Sequence, residues 1–259
     1  MNIIVCIKQV PETTQVKIDP QTNTLIREGV QSIINPFDTY AIEEAIRLKE
    51  KFGGKSTVIT MGPPQAESAL REAMSLGIDE AILLSDRAFA GSDTLATSYT
   101  LTKAIMKIKN FDIIICGKQA SDGDTAQVGP GISAHLDIPQ ITYVKKIEEI
   151  KDGYGTFERM TEEGYEIIKS PLPCLITVVK EINEPRLPSL KGLMRSKKAT
   201  ITKWTSVDLD IEEDRLGLDG SPTQVVKIFT PPPRPKGKIF DGTIDDAVNH
   251  LIEIIKNTL

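Results

Sequence analysis

Ile113-Ile114-Ile115-Cys116 runs directly into Gly117-Lys118-Gln119-Ala120-Ser121-Asp122-Gly123-Asp124-Thr125-Ala126-Gln127-Val128-Gly129-Pro130. The first four residues are a continuous apolar run, and a run apolar on both faces fits a parallel sheet covered on two sides. The stretch after it is crowded with Gly, Ser, Thr, Asp and Gln before apolar character returns at Ile132 and Leu136. A small-residue, hydroxyl-rich loop at the carboxyl end of a parallel strand is where open α/β sheets bind ligands. Its N–H groups, backed by a helix N-terminus, can hold a phosphate. An ordinary polar βα loop has the same composition, so this stretch alone leaves both readings open. Pro130 lacks an N–H, so the following helix should begin close to it.

Outward from this segment the pattern repeats. Apolar runs of strand length occur at 3–10, 57–61, 81–84, 141–144 and 174–179. Helical patterns lie between them. Asn35-Pro36-Phe37-Asp38 opens one, with Asn35 as N-cap, Pro36 at the first helical position and Asp38 at the positive end. Ala41, Ile42, Ala45, Ile46 and Leu48 supply its apolar face and Gly53-Gly54 ends it. A second helix is predicted over 65–76, ending at Gly77, and a third over about 92–108. Strand–helix alternation predicts right-handed βαβ units and an α/β doubly wound parallel sheet.

From about Tyr143 the rhythm changes. Residues 147–168 are charged and alternating, with Gly153, Gly155 and Gly164 as turn signals, and read as an added antiparallel hairpin. Pro231-Pro232-Pro233-Arg234-Pro235 reads as a stiff connector, and a last amphipathic helix is predicted over 244–256. The expected division is a nucleotide-binding domain at 1–182, a segment at 183–198 and an extended C-terminal arm at 199–259. The arm is too short of apolar residues for its own core, so it should pack on another chain, the alternative being that it folds back on its own domain.

Net charge is −5, which gives no global basic field to recruit nucleic acid. Cys6, Cys116 and Cys174 lie in strand-like runs without a C-x-x-C pairing and read as buried thiols of a reducing compartment. His135 and His250 are too few for a His-rich metal site, and His135 reads as a packing residue. The opening M-N-I-I-V-C-I-K-Q-V reads as a first strand, no apolar stretch reaches membrane-span length, and a cytoplasmic protein is expected. G-x-G-x-x-G after the first strand, a Walker-type loop and G-x-S-x-G are all missing. Loops fit for a nucleotide, without an obvious acid, base or nucleophile, suit a carrier whose cofactor does the chemistry.

Two further loops should share the sheet edge with 117–128: Met61-Gly62-Pro63-Pro64-Gln65, and residues 85–94 with Arg87, Ser92 and Thr94. Arg87 could neutralise a phosphate or bond a flavin ring, or be a solvated surface side chain. Asp122 and Asp124 suit ribose hydroxyls or backbone N–H groups better than phosphate.

These residues resemble the β subunit of electron-transfer flavoproteins over nearly the whole chain. The resemblance is carried by V-C-I-K-Q-V-P near the start, N-P-F-D at 35–38, M-G-P-P-Q at 61–65 and G-K-Q-A-S-D-G-D-T-A-Q at 117–127. R-M-T-E-E-G-Y-E-I-I-K-S-P-L-P-C-L-I-T at 159–177 and N-E-P-R-L-P-S-L at 183–190 complete it. Phe157 stands where the family usually has a small aliphatic residue. The resemblance implies an adenine-nucleotide-binding, HUP-like fold and a heterodimer with an α subunit that carries FAD. It implies AMP in the β subunit of simple carriers and a second FAD there in the electron-bifurcating branch. S-D-R-A-F-A-G-S-D-T at 85–94 and M-G-P-P-Q-A-E-S resemble the bifurcating branch, which implies FAD, NADH as donor, and ferredoxin or flavodoxin as one acceptor. An acyl-CoA dehydrogenase or related reductase is then the other.

Carried over by position, the AMP moiety would contact Cys6, Asn35, Pro36, Phe37, Asp38 and Met61. The loop Gly117, Lys118, Gln119, Ala120, Ser121, Asp122, Gly123, Asp124, Thr125, Ala126, Gln127 and Val128 would hold phosphates. Arg87, Ser92, Thr94 and Thr97 would lie near the rest of FAD, and NADH would approach near Gly62 to Gln65. The resemblance makes 183–198 a partner-recognition loop in which Leu190 inserts into the dehydrogenase, with Arg195, Lys197 and Lys198 steering an acidic partner. A plain carrier with structural AMP, or a stand-alone nucleotide sensor of the universal-stress-protein type, are the rival readings.

Overall fold

The computed structural model describes residues 1–12, 17–18, 25–26, 32–226, 237, 239–240 and 242–258. In chain order the elements are β1 (Asn2–Cys6), β2 (Gln9–Pro11), β3 (Lys17–Ile18), β4 (Leu25–Ile26), β5 (Ser32–Ile34) and α1 (Pro36–Phe52). Next come β6 (Lys55–Met61), α2 (Glu67–Leu76), β7 (Glu80–Leu84), α3 (Thr94–Ile108), β8 (Ile113–Gly117) and α4 (Val128–Leu136). The chain continues with β9 (Gln140–Lys151), β10 (Tyr154–Met160), β11 (Tyr165–Pro171), β12 (Cys174–Val178), α5 (Leu190–Lys198), β13 (Thr202–Trp204) and α6 (Ile244–Thr258).

Nine strands form one sheet in the order β11-β10-β9-β12-β8-β1-β6-β7-β13. The seven from β9 to β13 in that order are parallel, and β10 and β11 extend one edge antiparallel. Alternate residues of the central strands face opposite layers. Ile3, Val5, Ile113 and Ile115 pack with α1 and α2, whereas Ile4, Cys6, Ile114 and Cys116 pack with α3 and α4. That is the doubly wound α/β arrangement expected from the continuous apolar runs. The chain leaves β1 towards β6 and β7, then returns to place β8 on the other side of β1. The order therefore reverses between β1 and β8, where such sheets open a crevice.

Several details differ from the sequence reading. The apolar run 3–10 is two strands, because Lys8 leaves the sheet: its N–H donates to the Asp38 carboxylate (2.7 Å) and its carbonyl accepts from Asn35 N (2.9 Å). The run 141–144 and the expected hairpin are one continuous long strand, β9, followed by β10 and β11. Phe157, the departure from the family pattern, is fully buried, and its ring lies where a Cβ on Gly155 would stand.

The chain divides into two compact units, Met1–Val226 and Lys227–Leu259. The boundary expected at residue 199 thus falls after 226. Ile201, Leu209 and Leu216 are buried, and β13 adds to the sheet beside β7, so this stretch finds its core on its own domain. The polyproline connector lies outside the described residues. In the second unit, α6 carries Ile244, Val248, Leu251, Ile252 and Ile255 exposed at helical spacing. Among the described residues no helix is long and apolar enough to cross a membrane.

Candidate functional site

The carboxyl ends of β8 and β1 flank the reversal point, and α1 begins beside them. Gly117, the last residue of β8, is buried, and a Cβ there would stand 2.2 Å from Asp38 Oδ1 and 2.7 Å from the Phe37 carbonyl carbon. Only glycine lets the strand end approach the helix start this closely. Asp38 is buried beneath it. Burial pushes its carboxyl from 3.8 up to about 7, against hydrogen bonds from Lys8 N, the Asn35 side chain and Gly117 N that favour the charged form.

Asn35 precedes α1 as expected, yet makes no side-chain cap bond. Its amide instead spans to the loop after β8: Nδ2 donates to Gln119 O (2.8 Å), and Oδ1 accepts from Ser121 N (3.0 Å). Lys8 reaches across from the end of β1 to pair with Asp122 (2.6 Å). Asp122 thus meets an ammonium group rather than backbone N–H groups. Gln119 Nε2 bonds Asp124, and Asp124 and Ala126 take left-handed φ values of 51° and 54°. The loop is held at both ends and shaped by its own side chains.

The loop ends at the N-terminus of α4, which begins two residues before Pro130. Gln127 makes no side-chain cap bond there; its amide oxygen accepts from the Thr94 hydroxyl (3.0 Å). The N–H groups of Thr125, Ala126, Gln127, Val128 and Gly129 have no acceptor among the described residues. A helix N-terminus with free donors and no cap of its own favours an anion. Gly129 and Gly131 let α4 sit close: a Cβ would meet Thr177 Cγ2 at 2.8 Å and Ser98 Oγ at 2.6 Å.

The start of α3 is different. The helix opens at Thr94, capped by Asp93, whose carboxylate accepts from Leu95 N (2.9 Å) and Ala96 N (3.1 Å) and from Thr223. Ser92 turns its hydroxyl back to Phe89 O (2.8 Å), and Thr97 N–H is used within the helix by Asp93 O. Sequence reasoning placed Ser92, Thr94 and Thr97 by a cofactor and passed over Asp93, whose position before an apolar run is an N-cap signal. Arg87 is exposed, with no side-chain partner among the described residues, and Asp86 beside it ties its turn to Ser206. Met61 and Gly62 are half-buried, and Gly62 N donates to Leu84 O (3.0 Å). Gln9 reaches the end of this loop and the start of α2, donating to Gln65 O (3.4 Å) and Ser68 Oγ (2.8 Å).

Cys6 and Cys116 are in-register neighbours on β1 and β8, free and buried like Cys174. The hydrogen bond with Cys6 and burial push the Cys116 thiol well above its ordinary range, and burial pushes Cys174 up to about 12, so neither is a nucleophile. His135 packs edge-on against Tyr99, 5.9 Å between ring centres, as a packing residue should. A cavity of about 330 Å³ borders α3 and is lined by Tyr99, Arg215, Asp214 and Asp219; its two carboxylates make it a poor phosphate site.

The segment expected as a recognition loop is mostly helical. Ser189 caps α5 by accepting from Gly192 N (3.0 Å), and a Cβ on Gly192 would stand 2.0 Å from Ser75 O on α2. Arg195 donates to Met74 O (2.8 Å) and Ile78 O (2.9 Å), so its guanidinium anchors α5 to the end of α2 rather than standing free for a partner. Leu190 is 83 % exposed, with Leu187 and Met194 also exposed; Lys197 and Lys198 lie open at the far end of α5.

The Electron transfer flavoprotein domain family matches residues 22–209. The "Electron transfer flavoprotein subunit beta" of Thermoanaerobacterium thermosaccharolyticum is 57% identical over 98% of this chain and 97% of its own length. The subunit of the same name from Clostridium acetobutylicum is 49% identical, over 99% and 98%. The "Caffeyl-CoA reductase-Etf complex subunit CarD" of Acetobacterium woodii is 48% identical, over 99% and 98%.

Proposed function

For a chain that belongs to the electron transfer flavoprotein family, as a β subunit, we propose an electron-transfer role in which FAD is bound at the crevice between β1 and β8. What carries this reading is the uncapped start of α4, whose free N–H groups follow the loop 118–127 and suit the phosphates of an adenine dinucleotide. FAD bound there would supply hydride acceptance from NADH and one-electron transfer onward, to ferredoxin or flavodoxin and, through the α-subunit FAD, to an acyl-CoA dehydrogenase or reductase. Asn35 and Lys8 fix the loop against β1 and α1. Cys6, Phe37, Asp38 and Met61 would be the residues next to the adenosine, and Arg87 would face the rest of the cofactor. The name of the Acetobacterium woodii relative, a subunit of a caffeyl-CoA reductase complex, supports an acyl-CoA-linked partner.

Exposed Leu190 on the docked helix α5 supports insertion into that partner, with Lys197 and Lys198 steering the encounter. The exposed apolar stripe of α6 supports packing of the C-terminal arm on the α subunit. Copurification with the α subunit, followed by counting flavin and AMP, tests the proposal. Two FAD per heterodimer and bleaching by NADH are expected. One FAD and one AMP, with no bleaching, would establish the plain carrier reading instead.

A further inference from the structure

The conspicuous motif at 159–177 touches the site described above through Thr177, packed against Gly129, and its two ends meet at one point in the fold. Arg159 Nε donates to Thr142 O (2.9 Å) and its Nη2 to Thr142 Oγ1 (3.0 Å). Thr177 Oγ1 accepts from Tyr143 N (3.1 Å). At these clamps β9 shifts register against β12, between Ile141 and Val144, and just beyond them against β10, between Val144 and Lys146; Tyr143 takes a left-handed φ of 61°. A bulky residue in that region is strained, and bulges re-aim side chains near functional sites. Here the bulge brings the Tyr143 ring to the Lys118 ammonium, 5.0 Å from its centre, with the centre of the Phe37 ring 5.7 Å from the same ammonium. Lys118 opens the loop after β8, pinned by its N–H to Val178 O (2.9 Å). Its ammonium has no carboxylate partner among the described residues. Aromatic faces hold a cation without neutralising it.

We propose that Tyr143 is a positioning residue of the nucleotide site: the bulge clamped by Arg159 and Thr177 holds its ring against Lys118, keeping that charge at the loop rim for the phosphate of an adenine nucleotide. This rests on the reading that the loop binds such a nucleotide. Lys118 supplies the attraction, and Tyr143 and Phe37 fix where it acts.

The test titrates adenosine, AMP and ADP into the nucleotide-stripped heterodimer by calorimetry. Tyr143→Leu is expected to weaken AMP and ADP about fivefold and leave adenosine unchanged, with Tyr143→Phe behaving as the unsubstituted protein. In a Lys118→Gln background, Tyr143→Leu should add no further loss. Equal losses for adenosine and AMP, or no loss of AMP affinity, would overturn the inference while leaving the nucleotide site standing. If Tyr143→Leu does not yield a folded heterodimer, Lys118→Gln alone must show the phosphate-dependent loss, and its absence overturns the proposal. Failure of the unsubstituted heterodimer to bind any of the three would overturn both this inference and the site on which it rests.

Discussion

Gly117 and Asp38 set the tightest contact of the site. A methyl group on Gly117 has no room, because the atoms it would meet are the Asp38 carboxylate and the backbone of α1. Gly117→Ala is expected to destabilise the protein by about 1–3 kcal/mol, read from chemical denaturation; an unchanged midpoint would contradict the packing described. Asp38 makes stability depend on pH. Its folded value, about 7, lies above its ordinary 3.8, so the native state holds a proton that the unfolded chain has lost. The stability from this group is complete below pH 3.8, falls as pH rises and is gone above pH 7, a swing of order 4 kcal/mol. Denaturation curves between pH 4 and 8 should show that falling slope, and Asp38→Asn should remove it. Sequence reading singled out Gly117 and Asp38 as ligand contacts. It missed that they constrain each other, and it missed Lys8, because contacts between residues so far apart in sequence leave no spacing signal.

Helix starts show what one capping residue decides. The N-termini of α3 and α4 are linked by the Thr94–Gln127 hydrogen bond, yet Asp93 fills the first with its own carboxylate and Gln127 leaves the second open. Gln127→Asp should therefore compete with a bound phosphate and weaken AMP binding at least tenfold while leaving thermal stability equal or higher; unchanged affinity would remove α4 from the site. Asp93→Ala should instead cost about 1 kcal/mol of stability through the lost cap, with AMP affinity retained. The start of α1 at Pro36 and the glycine stops after α1 and α2 were readable from local residue types, whereas Asn35 turned its amide to the loop after β8 instead of capping and Asp93 was passed over as the cap of α3. The docking of α5 on α2 was not, since Arg195 looks like any surface cation until the carbonyls of Met74 and Ile78 are brought to it.

At the scale of the whole chain, the first unit closes at Val226 with both faces of its sheet covered by buried side chains. A chain ending there should remain folded and keep nucleotide affinity but lose copurification with the α subunit, which size-exclusion chromatography of the mixture can check. Leu190→Ala should leave the melting temperature unchanged, because the side chain is almost fully exposed, while slowing electron delivery to the proposed dehydrogenase or reductase partner. Strand-length apolar runs, their alternation with helical periodicity and the polar loop after β8 were enough by themselves to determine a doubly wound parallel sheet and to point to the rim proposed here for a ligand. Those signals are local, each written within a few consecutive residues. Which helix start is open to an anion, that residues 199–226 complete the domain, and that Arg159 and Thr177 converge on Tyr143 were decided only by the tertiary structure. Each depends on hydrogen bonds and burial between segments that the chain brings together after folding, and no pattern in one segment reports its distant partner.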